Sequence, residues 1–175
     1  MSINVIKLTS LLEEHLLEIG DLKNITPYNI NNRGDTRYKF EIEDDNIVDV
    51  IFSKIGKSEV ENIDLAPIFK KSQLKGFYNL GYSIKGISTQ AKFSNTRELL
   101  KIMATLMEVV KDFLEGKELI CILIFEENKD ESLSFAKGQK SLLYKSIISQ
   151  NLPKGYISGP AKFINVDGLA ISPKI

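Results

Sequence analysis

A chain of 175 residues with 43% hydrophobic content has the size of one domain with one packed core. Its 23 cationic and 23 anionic side chains cancel, which removes the whole-molecule field expected of a nucleic-acid or anionic-membrane binder. A single cysteine and a single histidine exclude an internal disulfide, a Cys/His zinc centre and a two-histidine phosphodiesterase site.

The first predicted element is a helix over residues 10–19. Ser10 and Glu13 stand in capping-box spacing, Leu12, Leu16 and Ile19 recur at helical intervals, and Gly20 stops the turn. Residues 21–35 hold Pro27, Gly34 and four asparagines without periodicity and read as a loop. Tyr38, Phe40 and Ile42 then alternate with Arg37, Lys39 and Glu41, the period of a half-buried strand. Asp44, Asp45 and Asn46 supply a turn, and Val48, Val50 and Phe52 share one face of a partner strand. Residues 54–76 are polar, with Pro67 and Lys70-Lys71, and read as a long excursion with a helical turn near Leu65 to Lys71.

Leu80, Tyr82 and Ile84 alternate with small or polar residues in a strand over 77–87. Asn95 and Glu98 cap a helix over 96–115 whose stripe runs through Leu99, Ile102, Met103, Leu106, Val109, Val110 and Phe113 to Gly116. Leu100, Met107 and Leu114 form a second stripe beside the first, which leaves part of this helix for another subunit. The unbroken apolar run Leu119 to Phe125, containing Cys121, predicts a central strand covered on both faces. A helix over 136–150 ends before Pro153, and Phe163, Val166, Leu169 and Ile171 predict a final hairpin turning at Asp167-Gly168.

Few residues point to chemistry. Gly138, Lys140 and Ser141 bring a glycine, a cation and a hydroxyl to a helix start, where free N–H groups favour an anion, so they form the candidate anion-binding site. Their order lacks the spaced glycines of a P-loop. Glu126, Glu127, Asp130 and Glu131 gather after the central strand, but in one loop, whereas a cation site needs oxygen ligands converging from several elements. Cys121 reads as a small hydrophobe with a raised pKa, and His15 has no neighbouring nucleophile. Arg33-Gly34-Asp35 matches an adhesion tripeptide by chance. Lysines 70, 71, 75, 85 and 92 interleave with Phe69, Phe77, Tyr78, Tyr82 and Phe93, a mix that suits a single-strand nucleic-acid platform or a protein interface. The flat charge balance favours the interface, with Tyr78, Tyr82, Leu100, Met107 and Leu114 as its candidate residues.

Arginine occurs only at positions 33, 37 and 97, so lysine supplies the remaining 20 cations, a skew typical of an AT-rich genome. The strand Tyr78-Asn79-Leu80-Gly81-Tyr82-Ser83-Ile84-Lys85-Gly86 with Gln90, the helix with Leu100, Ile102, Thr105 and Val109, and the segment Gly138-Gln139-Lys140-Ser141-Leu142-Leu143-Tyr144 resemble small α+β proteins encoded by tailed bacteriophages. The likeness spans roughly residues 77–150; it implies a viral origin and transfers no functional residue.

The expected fold is α+β, a single domain over 1–175 with an N-terminal helix and loop over 1–35 and a sheet-and-helix core over 36–175. One mainly antiparallel sheet, from strands near 37–43, 47–53, 77–87, 119–126 and a hairpin over 156–171, carries two long helices on one face and a short N-terminal helix elsewhere. No apolar run approaches the ~18–20 residues that cross a bilayer, and the first residues lack a signal-peptide pattern. The expected function is a non-enzymatic protein–protein module of a phage, a virion structural or assembly protein able to form homo-oligomers. It would work in the host cytoplasm or the virion, with phage or host proteins as partners and no catalytic residue, cofactor, metal, membrane or nucleic acid. The alternative is an inhibitor of a host defence system that binds a host protein or a phosphorylated small molecule.

Overall fold

The computed structural model describes residues 22–85, 96–125 and 139–175. The expected helix over 10–19, His15, Asn95, Gly138 and the acidic run 126–131 lie outside the described residues. The elements are β1 (Ile30–Arg33), β2 (Arg37–Glu41), β3 (Ile47–Lys54), a single turn of helix α1 (Lys57–Val60), β4 (Ile63–Leu65), β5 (Gly76–Lys85), α2 (Thr96–Leu114), β6 (Ile120–Phe125), α3 (Gln139–Gln150), β7 (Tyr156–Phe163) and β8 (Val166–Pro173). The fold is α+β, and eight strands form one sheet in the order β1-β2-β3-β5-β6-β8-β7-β4. Every pairing is antiparallel except β5 with β6, whose connection contains α2, the crossover that parallel neighbours require. Among the described residues no helix is long and apolar enough to cross a membrane.

The alternation in β2 and β3 does what it predicts. Tyr38 opposes Val50 and Phe40 opposes Val48, all four buried, and a 3₁₀ turn at Glu43–Asp45 joins the strands. The segment 21–35 departs from its loop reading. Ile30–Arg33 pairs with β2 as an edge strand, with a register shift between Ile30 and Asn32. Its sequence has no period of its own; pairing with β2 and contacts to α2 hold it. Just before it, the Tyr28 backbone N–H donates to Thr105 Oγ1 at 2.9 Å, and the Tyr28 ring stacks on Phe40 with the Lys101 Nζ 4.2 Å from its centroid.

Helix α2 is buried over more than a stripe. Leu100, Met107 and Leu114 are 4%, 7% and 4% exposed and belong to the same core cluster as Ile102, Val109 and Phe113. The second stripe is therefore covered within this chain and is not left for another subunit. The reason is that α2 is walled on several sides: β2, β3 and β5 lie below it, while Leu22, Ile25 and Tyr28 and the α3 residues Ile147 and Ile148 join the same cluster. Thr105, fully buried, is satisfied by donating to the Lys101 carbonyl at 2.7 Å. Gly116, at φ +73, ends the helix as a left-handed C-terminal residue.

Strand β6 is interior, and Cys121, Ile122 and Leu123 have no solvent exposure, so the apolar run is covered on both faces as expected. Its second cover comes from the segment read as a polar excursion. Ile63 and Phe69 insert among Phe77, Cys121, Leu123, Ala161 and Ala170, and β4 extends the sheet by pairing with β7. The helical turn expected near Leu65 to Lys71 is present as a 3₁₀ turn at Pro67–Phe69, and a second, unexpected one follows at Lys71–Gln73.

The last hairpin exists, but its turn is not at Asp167-Gly168. Phe163 pairs with Val166, so Ile164 and Asn165 make the turn, and Asp167 and Gly168 lie within β8. Gly168 answers a different need: a Cβ there would stand 2.6 Å from the Ile124 carbonyl oxygen and 2.7 Å from the Phe125 ring. The glycine permits close approach of β8 to β6 and plays no part in reversing the chain.

Candidate functional site

Two surfaces concentrate polar side chains. The first is an open cleft of about 490 Å³ lined by Arg33, Glu108, Lys111, Asp112, Glu115 and Tyr156, together with Leu114 and Pro153. Strand β1 brings Arg33 to it, the outer side of α2 brings the acidic residues and Lys111, and Pro153 and Tyr156 come from the entry to β7. Asp112 accepts from Arg33 Nη1 at 3.1 Å and from the Tyr38 hydroxyl at 2.9 Å, so each carboxylate oxygen has a donor. Burial first, and the Asp112 carboxylate second, raise the Tyr38 phenol above its ordinary range, and burial raises that of Tyr156. Both phenols are held in their protonated form by burial, and the Asp112 carboxylate is engaged by two donors of the chain itself.

The second surface is the outer face of β2, β3 and β5. The buried side chains of these strands point toward α2, so the intervening residues face away: Arg37, Lys39 and Glu41 on β2, Ile47, Asp49, Ile51 and Ser53 on β3, and Gly81 and Ser83 on β5. The covering layer of 55–74 stops short of them. On β5, Phe77 is buried in that layer while Gly81 is open, with nothing within 4 Å of the position its Cβ would occupy. Asn79 lies at the seam, its Oδ1 shielded and without a partner among the described residues.

On this open face Ile47 and Ile51 are 41% and 38% exposed, yet Asp49 between them is only 2% exposed. The Arg37 guanidinium closes over it with two parallel bonds, Nε to Oδ1 at 2.9 Å and Nη2 to Oδ2 at 2.5 Å. This fork-to-fork geometry fixes both groups in one plane. The hydrogen bond to Asp49, with the carboxylate's charge second, pushes the guanidinium pKa further up. The result is a patch with two isoleucines flanking a neutralised ion pair.

The residues expected to act sort as follows. Tyr78 is half-buried beneath α2, its ring edge-on to Phe113 at 5.1 Å, and Tyr82 packs against the same cluster. Neither is on the open face, because both occupy the helix-facing parity of β5. Leu100, Met107 and Leu114 are core. Lys140 and Ser141 stand in the first turn of α3, and their side chains, like Gly138, fall outside what is described. Cys121 is buried, and burial pushes its thiol up to about 12, in keeping with its reading as an inert hydrophobe. Among the described residues no three of His, Cys, Asp and Glu converge as a metal site would require. Sequence reasoning missed the Ile47-Asp49-Ile51 face. Its signal is an acidic residue flanked at two-residue spacing by isoleucines on the parity opposite to Val48, Val50 and Phe52.

Comparison with protein-family models, with curated proteins and with solved structures gives no match.

Proposed function

We propose that this chain is a non-enzymatic protein–protein interaction module that works through the open outer face of β2, β3 and β5, as a structural or assembly component of a bacteriophage. The observation that supports this reading is the pair Ile47 and Ile51, both more than a third exposed on a sheet face beside the covering layer. Isolated exposed apolar residues are ordinary. Two on one strand, either side of an acidic residue already neutralised within the chain, form a face with little desolvation cost and a shape suited to another flat surface. In this reading the helices cover one side of the sheet so that the other remains for a partner. The phage assignment rests on the lysine- and isoleucine-rich sequence and on its likeness over residues 77–150.

The sheet edges suit this reading, since neither is an inviting place for strand addition. Strand β1 is broken by its register shift, and β4 is three residues long with the Ile63 carbonyl taken by Lys71 Nζ. Face, and not edge, is the available mode of contact.

The test is mass spectrometry of purified phage particles together with cross-linking on the native chain. Cross-links from Lys39 to another virion or assembly protein, lost in Ile51→Glu while the melting temperature is unchanged, are expected. Absence from particles and from assembly intermediates, with no cross-link at this face, overturns the proposal.

A further inference from the structure

The open face is self-complementary, and we propose that its partner is a second copy of this chain, bound face to face about a two-fold axis. The inference rests on the reading of that face as an interaction surface and names its occupant. The cross-strand register gives three rows: Arg37 beside Ile51, Lys39 beside Asp49, and Glu41 beside Ile47. The rows are symmetric about the middle one. A two-fold axis lying between the facing sheets, perpendicular to the strands and passing through the Lys39–Asp49 row, places β2 over β2 and β3 over β3 with reversed direction. Arg37 of each copy then meets Glu41 of the other, and Ile51 meets Ile47, twice over. Such an isologous contact uses one patch on both subunits and closes at the dimer.

Charge complementarity is what selects this occupant. Arg37 directs two of its five donors to Asp49 and keeps the rest for a carboxylate. Glu41, at the far end of β2, is exposed. In the central row Lys39 and Asp49 face their own symmetry mates. Each Lys39 stands one strand spacing, about 4.8 Å, across from the other copy's Asp49, within reach of its flexible side chain. On β5 the rows continue with Gly81 beside Ile51, Ser83 beside Asp49 and Lys85 beside Ile47, so that the two-fold sets each Lys85 position over the other copy's Gly81, which has no side chain.

The size of the patch sets the strength. Three strands about 4.8 Å apart and five residues of about 3.3 Å rise cover far less than the ~800 Å² per partner of a stable complex. The dimer is therefore weak and concentration-dependent.

Sedimentation velocity and light scattering on the full chain, from roughly 1 μM to 1 mM, read this directly. A monomer–dimer equilibrium is expected within that range. Ile51→Glu and Glu41→Arg should each weaken it at least tenfold without changing the melting temperature, the first by setting a carboxylate against Ile47 and the second by setting two cations together. The double variant I47K/I51E should restore dimerisation, because each new Glu then meets a new Lys in the other copy, an effect that no general loss of surface apolarity would produce. A monomer throughout the range overturns the proposal, as does a dimer indifferent to these substitutions or one that I47K/I51E fails to restore. If the chain is monomeric while Ile51→Glu still abolishes cross-links to another protein, the self-association fails and the interaction face stands. If both are absent, the reading of the face falls with it.

Discussion

Phe113 of α2 lies flat on Phe52 of β3, the ring centroids 3.8 Å apart and the planes within 2° of parallel. Around this stack Tyr38 meets Phe52 edge-on at 5.9 Å, Tyr78 meets Phe113 at 5.1 Å, and Lys117 Nζ sits 4.3 Å from the Phe113 centroid. Three adjacent strands and the helix are thereby joined at one point. The open face is the reverse side of those strands.

Phe113→Ala should be the most damaging single change in the helix, costing about 3–5 kcal/mol, since it removes a buried ring and strands Phe52 beside a cavity. Phe113→Leu should cost no more than about 1.5 kcal/mol. Urea denaturation checks both, with a lowered midpoint and an unchanged slope as the expected signature.

Ile164 sits at φ +54 in the first position of the β7–β8 turn, and is 62% exposed. A β-branched side chain in the left-handed region is strained, and an exposed one recovers little by packing. Ile164→Gly should stabilise the chain by about 0.5–1 kcal/mol, after allowance for the greater chain entropy of glycine. Calorimetry should show a rise of about 1–4 °C, while Ile164→Val leaves the transition in place.

Arg37 and Asp49 should respond unequally. Asp49 is buried and Arg37 is half-exposed, so Arg37→Gln takes the bidentate cation from a carboxylate shielded from water, whereas Asp49→Asn leaves an arginine free to turn outward. Arg37→Gln should lower the melting temperature more than Asp49→Asn at neutral pH. An equal effect of the two variants on the melting temperature would contradict the assignment.

The chain should lose stability in alkali. The Tyr28 phenol is pushed up to about 12, by burial first and then by the Glu43 carboxylate, and burial alone pushes the Cys121 thiol to about 12. Unfolded values are about 10 and 8.5. Both groups keep their protons longer when folded, so their contribution is complete below pH ~8.5 and is lost as pH rises toward ~12. The unfolding free energy, followed by urea titration from pH 8 to 11, should fall across that interval. Tyr28→Phe should flatten the upper part of the decline and Cys121→Ala the lower part.

Some elements were legible because their information is local. The α2 stripe from Leu99 to Phe113, the Tyr38/Phe40 and Val48/Val50 alternation, and the apolar run through Cys121 each specify their own periodicity and burial. Where the reading went astray, a distant partner supplied the reason. Ile30–Arg33 is a strand only because β2 pairs with it, and Phe69 is core only because Gly159 opposes it, where a Cβ would stand 2.9 Å from the ring. The candidate site shows the same division: the parity of Ile47, Asp49 and Ile51 is written in the chain, but not that the covering layer ends before it reaches them.

The sequence by itself determined the strongly periodic elements, the burial of Cys121 and the opposite parities of β3, because backbone geometry converts spacing into faces without reference to the rest of the molecule. Only the tertiary structure decided which faces are covered. Leu100, Met107 and Leu114 are as apolar as any exposed interface would need, and they are core because β2, β3, β5 and α3 close around one helix. Ile47 and Ile51 are as apolar as any core strand, and they face outward because, among the described residues, no second layer extends over them. Burial is a property of the neighbours that long-range contacts bring, and no local period encodes it.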